Sequence, residues 1–115
     1  MKLSMLMLGV ENLEKSVAFY RDVVGVAPKS QIETFAFLDA GDMTLVLSQS
    51  LGRAIQPRAG AMQAIFAAAS VRKAHQELHA RGAHFINDPS EVSPGSWAAT
   101  FRDPDGHMLT VYGPE

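Results

Sequence analysis

The chain has 115 residues, of which 47% are hydrophobic and 19% are charged. This length and composition are typical of a folded globular domain and exclude a disordered polar chain. Ten Lys and Arg residues against twelve Asp and Glu residues give a formal net charge of -2, which argues against nucleic-acid binding because that binding depends on clustered positive charge. The absence of cysteine excludes disulfides, thiolate metal ligands and a cysteine nucleophile.

The first predicted element is an apolar segment at residues 3–9. Charged residues follow it at once (Glu11, Glu14 and Lys15), and it lacks a small-residue cleavage site. It therefore predicts a buried strand, not a signal peptide. No run of the chain approaches the roughly 20 apolar residues of a membrane span, so we expect no membrane partner. The absence of cysteine favours a cytoplasmic protein, although it also suits other compartments.

The next element is an amphipathic helix. Its apolar residues are spaced by four, three and four positions, which is typical of a helix packed on one side: Leu13, Val17, Tyr20 and Val24. Asn12 is a suitable N-cap, and Gly25 can supply the positive φ that ends a helix.

A second helix is predicted from Ser70 to Gly82, with Val71, Ala74 and Leu78 on its apolar face. Ser70 lies 58 positions after Asn12, and Gly82 lies 57 positions after Gly25. Two helices at a nearly constant offset indicate an internal duplication.

Each half also predicts a β-hairpin with turn-forming residues at its centre. The hairpins join residues 33–39 to 43–48 through Ala40-Gly41-Asp42, and residues 96–102 to 107–112 through Asp103-Pro104-Asp105-Gly106. A strand at residues 62–68 precedes the second helix, as residues 3–9 precede the first, and another extended segment lies between each helix and its hairpin. The predicted order of each half is therefore β-α-β-β-β. Residues 49–60, which contain Gly52, Pro57 and Gly60, are interpreted as the connector between the halves.

Two motifs carry a family resemblance. Residues 10–25 read VENLEKSVAFYRDVVG, and residues 101–107 read FRDPDGH. They resemble the V-x-D-L-x-x-S-x-x-F-Y-x-x-x-L-G helix and the F-x-D-P-D-G-x hairpin of the vicinal oxygen chelate superfamily. That superfamily includes glyoxalase I, extradiol dioxygenases, fosfomycin-resistance transferases and bleomycin-resistance proteins.

The resemblance implies an α+β fold in which two βαβββ modules form one curved, mixed, eight-stranded sheet. Helices would cover the convex face, and a ligand cleft would lie on the concave face. The whole chain, residues 1–115, would be a single domain with module one at about 1–50, a connector at about 51–60 and module two at about 61–115.

Metal-dependent relatives place His, Glu or Gln ligands at four strand positions, which correspond in this chain to Met5, Val46, Gln63 and Thr110. A divalent catalytic ion prefers imidazole or carboxylate ligands. Of the four residues only Gln63 is of a ligand type that the family uses. We therefore expect neither a metal ion nor any other cofactor.

Because strand side chains alternate between faces, the resemblance also predicts the cleft lining. The predicted ligand-binding residues are Met5, Met7, Thr44, Val46, Gln63, Ile65, Trp97, Thr100, Arg102, Met108, Thr110 and Tyr112, with Ser48 and Ala98 on the same face. The methionines would fill the core or form an adaptable apolar wall. Trp97 would cover the cleft edge or plug the core, and Arg102 would contact the ligand or form a salt bridge.

Other residues have structural interpretations. Phe37 and Phe101 are predicted to occupy equivalent core positions beneath the two helices. Asp103 and Asp105 are assigned to the turn, and His75 and His79 are expected on the solvent side of the second helix. His84 and His107 are expected on the surface or in packing contacts. Arg53 and Arg58 of the connector would stay solvated or reach the mouth of a cleft.

The leading functional hypothesis is a metal-free, homodimeric protein that sequesters a hydrophobic or aromatic compound, such as an antibiotic, without transforming it. The alternative is a glyoxalase-like lyase or isomerase, or a thiol transferase. A third hypothesis is a binding domain in antibiotic biosynthesis or regulation. The sequence identifies no ligand.

Overall fold

The computed structural model describes residues 1–55 and 62–115 of the chain. The chain divides into two compact units, Met1–Pro57 and Arg58–Glu115, which we call module one and module two. Each contains the order β-α-β-β-β, so the α+β class and the two predicted modules are confirmed. That both modules belong to one domain stays a prediction.

Module one is a four-stranded mixed sheet with the strand order β1-β4-β3-β2. The parallel pair is β1 with β4, and the other neighbours are antiparallel. Its elements are β1 (Met5–Gly9), α1 (Leu13–Phe19), β2 (Ala27–Ile32), β3 (Phe35–Asp39) and β4 (Thr44–Ser48).

Module two repeats this topology with the strand order β5-β8-β7-β6. Its parallel pair is β5 with β8, and the other neighbours are antiparallel. Its elements are β5 (Gln63–Ala67), α3 (Val71–Ala80), β6 (Ser90–Ser93), β7 (Ser96–Arg102) and β8 (Met108–Gly113).

Both main helices begin and end where their caps predict. The Asn12 side chain accepts a hydrogen bond from the Lys15 backbone N–H at 3.0 Å, and Ser70 accepts one from the Lys73 N–H at 3.1 Å. Gly25 and Gly82 have φ values of 89° and 105°, a region that glycine occupies at little cost.

The end of α1 differs from the expected regular helix. A π-helical turn, Tyr20–Val24, follows it. The backbone N–H groups of Gly25 and Val26 both donate to the Tyr20 carbonyl, at 2.9 and 2.8 Å. These bonds join residues five and six positions apart, instead of the four of a regular α-helix, and they widen the last turn. The Tyr20 side chain is fully buried.

The main helices, α1 and α3, each pack on one face of their module's sheet, and alternate strand residues are buried beneath them. In module one these residues include Leu38, Leu45 and Leu47, and in module two they include Ala99, Phe101 and Leu109. Burial of each large side chain removes apolar surface worth roughly 1.5–3 kcal/mol from water. The core of each module therefore lies between its sheet and its helix.

The predicted core role is correct for Phe101 and wrong for Phe37. Phe37 pairs with Val46 and alternates with the buried residues Ala36 and Leu38, so its side chain points away from α1. The position equivalent to Phe101 is Leu38, since each pairs with the second residue of the last strand of its module. The prediction therefore assigned the core position to Phe37, one residue before the correct one, Leu38.

Residues 49–55 are not an extended connector. They form a short helix, α2 (Gln49–Ile55), and the Gln49 side-chain oxygen accepts a hydrogen bond from the Leu13 backbone N–H at 3.0 Å. A Cβ atom added at Gly52 would lie 2.2 Å from the Val10 carbonyl oxygen. Gly52 is therefore required for close backbone contact, although the sequence pattern favours a chain break there. Arg53 is exposed on α2, and Arg58 lies outside the described residues.

The hairpin between β7 and β8 has the predicted turn chemistry. One carboxylate oxygen of Asp103 accepts hydrogen bonds from the backbone N–H groups of Asp105 and His107, at 2.9 and 2.8 Å. Asp103 is buried, so these bonds compensate for the loss of water around its charge. The structural role assigned to this motif is confirmed.

Candidate functional site

In each module, the strand residues that alternate with the buried core residues point to the face opposite the helix. We call this the helix-distal face. On three neighbouring strands of each sheet (β1, β4 and β3 in module one; β5, β8 and β7 in module two), directly paired residues form rows across the face. Successive rows are two residues apart along a strand, which is about 7 Å.

Module two has three such rows. They are Arg102–Met108–Gln63, then Thr100–Thr110–Ile65, then Ala98–Tyr112–Ala67. In the middle row Thr100 and Thr110 are buried, whereas Ile65 is 62% exposed. Tyr112 in the third row is 42% exposed.

The two threonines form the central polar contact of this face. Their hydroxyl oxygens lie 2.7 Å apart, and the Thr100 backbone N–H donates to the side-chain oxygen of Asn87 at 2.9 Å. Arg102 is exposed and donates one hydrogen bond, from Nη1 to the Gly106 carbonyl oxygen, at 3.3 Å.

Module one has the same three rows with different side chains. They are Asp39–Thr44–Met5, then Phe37–Val46–Met7, then Phe35–Ser48–Gly9. Met5 and Met7 are 54% and 44% exposed, and Val46 is buried. The Lys29 ammonium donates to the Thr44 hydroxyl oxygen at 2.7 Å, which brings a positive charge to the first row.

The structure places eleven of the twelve predicted ligand-binding residues on helix-distal faces. Module one contributes Met5, Met7, Thr44 and Val46, and module two contributes Gln63, Ile65, Thr100, Arg102, Met108, Thr110 and Tyr112. Ser48 and Ala98 lie on these faces as well. Their common placement follows directly from strand alternation.

Trp97 is the exception. It alternates with Ala98 and Thr100 and pairs with Gly113, so it points to the α3 side of the sheet. The Arg72 guanidinium of α3 lies 5.6 Å from the centre of its ring and also forms an ion pair with Glu115. Trp97 therefore lies on the α3 side of the sheet and not on the helix-distal face with the other eleven residues.

The sequence missed Phe35, Phe37 and Lys29 as residues of or beside this face. In β3, the sequence Phe35-Ala36-Phe37-Leu38 is apolar at every position, so alternation does not reveal which face is the core. A strand sequence shows which of its faces is buried only when polar residues alternate with the apolar ones. Lys29 reaches the face from a β-bulge between Pro28 and Ser30, which no sequence pattern indicates.

The four positions that resemble the family's metal ligands have the same register in both modules. Val46 pairs with Met7, two residues after Met5, and Thr110 pairs with Ile65, two residues after Gln63. The alkyl group of Val46 has no donor atom, and the Thr110 hydroxyl is already bonded to Thr100. These side chains do not fit a divalent catalytic ion, which takes imidazole or carboxylate ligands.

Within residues 1–55 and 62–115, no group of three or more His, Cys, Asp or Glu residues is placed to hold a metal ion. His75 and His79 have stacked rings with centres 6.3 Å apart, and the His75 ring packs against Phe85 at 4.2 Å. Among the helices of the described chain, none combines the length and the apolar character needed to cross a membrane.

Comparison with known proteins agrees with the fold and the sequence motifs. Residues 2–111 match the Glyoxalase/Bleomycin resistance protein/Dioxygenase superfamily. This chain belongs to that superfamily, which confirms the resemblance drawn from its helix and hairpin motifs.

Three relatives illustrate the range of the superfamily. The chain is 30% identical to "Uncharacterized protein YraH" of Bacillus subtilis (strain 168), covering 97% of this chain and 98% of that protein. It is similar to TnmS3, an antibiotic binding protein from Streptomyces sp. CB03234, with a TM-score of 0.82, 21% identity and coverage of 100% and 97%. It is also similar to a lactoylglutathione lyase from Agrobacterium tumefaciens, with a TM-score of 0.78, 22% identity and coverage of 96% and 92%. At these identities the two structures show a shared fold.

Proposed function

We propose that the protein binds a small hydrophobic or aromatic organic compound, such as an antibiotic, and sequesters it without a metal ion and without changing it. The helix-distal faces supply the contacts. The observation that carries this proposal is their chemistry: the family's ligand positions hold Met5, Val46, Gln63 and Thr110, and exposed apolar residues such as Met7 and Ile65 lie on the same faces.

The exposed apolar area supports binding of an organic compound. Met5, Met7, Ile65 and Tyr112 are each more than two-fifths exposed, although burial of such side chains is favourable. Thioethers are flexible and polarisable, so Met5 and Met7 can adapt to a ligand, and the Tyr112 ring can stack on a planar one. A mainly apolar surface with few polar groups is typical of small-molecule sites.

The superfamily contains both binding proteins and enzymes. The antibiotic-binding neighbour supports sequestration, and the lactoylglutathione lyase neighbour represents the alternative. The side-chain chemistry favours the first, since Lewis-acid catalysis needs a bound metal and Val46 supplies no ligand atom. We further propose that the protein is a cytoplasmic homodimer, and light scattering at micromolar concentration should give twice the monomer mass.

Native mass spectrometry of freshly purified protein, with metal analysis, tests the proposal. We expect a co-purifying organic compound or an apo protein, with metal far below one equivalent. Near-stoichiometric zinc, nickel, manganese or iron would support the enzyme alternative instead. Recovery of a chemically modified compound after incubation would also contradict sequestration.

A charged substitution on the face tests the site itself. We expect Met7→Glu to weaken binding of the neutral apolar dye Nile red by roughly tenfold, because a carboxylate would be buried against the dye. The matched control is Ala80→Glu, at an exposed position of α3. Fluorescence titration should show unchanged binding for this control. Equal affinity of both variants and the natural protein for the dye would show that the dye does not bind at the face that carries Met7.

A further inference from the structure

The helix-distal face of module two combines hydrogen-bond donors at one end with apolar surface at the other. The first row contains the Arg102 guanidinium and the Gln63 amide, and the middle row contains the threonine pair. The third row contains Tyr112, about 13 Å along the strands from the first. This polarity restricts the kind of ligand that the face can bind.

Arg102 has unused capacity to bind an anion. A guanidinium group has five N–H donors, and one of them bonds to the Gly106 carbonyl at 3.3 Å. Arg102 is not a member of the ion pairs found among the described residues, such as Arg21–Asp22, Arg72–Glu115 and Arg81–Glu77. Its sequence neighbour Asp103 is buried and holds the backbone of the turn.

The threonine pair also has a donor to offer. Two hydroxyl groups carry two protons, and the bond of 2.7 Å between Thr100 and Thr110 uses one of them. The contacts of the described residues provide no acceptor for the second proton. Both residues are buried, where a donor without an acceptor is costly. An oxygen atom of a ligand would satisfy it.

No carboxylate belongs to the three rows of this face. Its polar groups are a permanent cation, a hydroxyl pair, an amide that can donate and, in the third row, the phenol of Tyr112. Arginine binds carboxylates and similar oxyanions through paired, charge-assisted hydrogen bonds. The side chains of Met108 and Ile65, beside the first two rows of donors, are apolar, and the Tyr112 ring adds an aromatic surface.

We propose that module two recognises a planar apolar compound that carries a carboxylate or a similar anionic oxygen group. The anionic group binds at the Arg102 end of the face, and the apolar part lies over Ile65 towards Tyr112. This inference rests on the proposed binding function and adds the chemical class of the ligand.

Two probes of equal shape and different charge test the inference: 2-naphthoate and its neutral amide, 2-naphthamide. Isothermal titration at low salt should show that the natural protein binds the naphthoate about tenfold more tightly than the amide. Arg102→Gln should weaken naphthoate binding about tenfold and so remove that preference, and Arg102→Lys should keep part of it. The control Arg81→Gln removes a surface charge from the end of α3 and should keep the preference.

The outcomes separate this inference from the proposed function. Equal affinity for the two probes, or equal loss in Arg102→Gln and Arg81→Gln, would overturn the anionic ligand class and leave binding of apolar compounds standing. Failure of both probes to bind the natural protein would contradict the inference and the proposed function together. Because Arg102 is exposed, its variants should fold normally, which the fluorescence of the single tryptophan, Trp97, can verify.

Discussion

At equivalent positions on their helix-distal faces, the two modules carry side chains of different chemistry. Phe37 and Val46 in module one correspond to Thr100 and Thr110 in module two. Asp39 corresponds to Arg102, with opposite charge. The scaffold contacts are instead closely repeated: the Val10 N–H donates to the Ser48 carbonyl, and the Ala68 N–H donates to the Tyr112 carbonyl. The duplicated fold thus depends on backbone bonds and the buried face, and the other face can vary.

The largest expected effect tests the division between the two faces. Phe101→Ala should lower the free energy of unfolding by about 3–5 kcal/mol and Leu38→Ala by about 2–5 kcal/mol, because each leaves a cavity beneath a helix. Phe37→Ala should cost less than half as much as Phe101→Ala, since Phe37 is partly exposed. Urea denaturation followed by circular dichroism measures all three. An equal loss in the free energy of unfolding for Phe37→Ala and Phe101→Ala would show that Phe37 belongs to the core.

The second prediction concerns a glycine contact that both modules share. A Cβ atom at Gly52 would lie 2.2 Å from the Val10 carbonyl oxygen, and one at Gly113 would lie 2.1 Å from the Ala68 carbonyl oxygen. Gly52→Ala and Gly113→Ala should each destabilise the protein by about 2 kcal/mol or more, because backbone must move. Ala54→Gly, at an exposed position of α2, should cost about 1 kcal/mol at most. A neutral Gly52→Ala would show that α2 does not pack closely on Val10.

The third prediction compares the centres of the two helix-distal faces. Thr100→Val and Thr110→Val should each cost about 1–2 kcal/mol, because the remaining hydroxyl is buried without its partner. The double variant should cost less than the sum of the two. Val46→Thr in module one should also destabilise the protein, since Phe37 beside it accepts no ordinary hydrogen bond. Additive costs in denaturant titrations would show that the threonines do not interact.

The smallest effect concerns the two helix caps. Asn12→Ala and Ser70→Ala should each lower stability by about 1 kcal/mol. The loss at Ser70 should be a few tenths of a kcal/mol larger, because its hydroxyl also donates to the Glu115 carbonyl oxygen at 2.9 Å. Thermal unfolding should show smaller losses for Asn12→Ser and Ser70→Asn, which keep a capping oxygen. Equal stability of the alanine variants and the natural protein would contradict the assigned caps.

Local signals located most of the elements correctly. Asn12, Gly25, Ser70 and Gly82 act at the predicted helix ends, and Asp103 organises the predicted turn. These features depend on residues within a few positions of one another, so their chemistry is visible in the sequence. The predicted faces agree with the strand register in β1, β4, β5 and β8, and the prediction is wrong by one residue at Phe37 in β3.

Long-range contacts explain what local signals missed. Gly52 signals a chain break by itself, yet it belongs to α2 because its missing side chain allows contact with Val10. Trp97 is placed by the strand register and by Arg72 of α3. The equivalence of Leu38 with Phe101 required the pairing of β3 with β4 and of β7 with β8.

The amino-acid sequence by itself determined the duplicated β-α-β-β-β order, the superfamily and the chemical types available to a binding site, because caps, turns and composition are local properties. Only the tertiary structure decided which side chains share a face and which hydroxyl groups pair with each other. The physical reason is that strand pairing joins residues far apart in the chain, and a shift of one residue moves a side chain to the opposite face of its sheet.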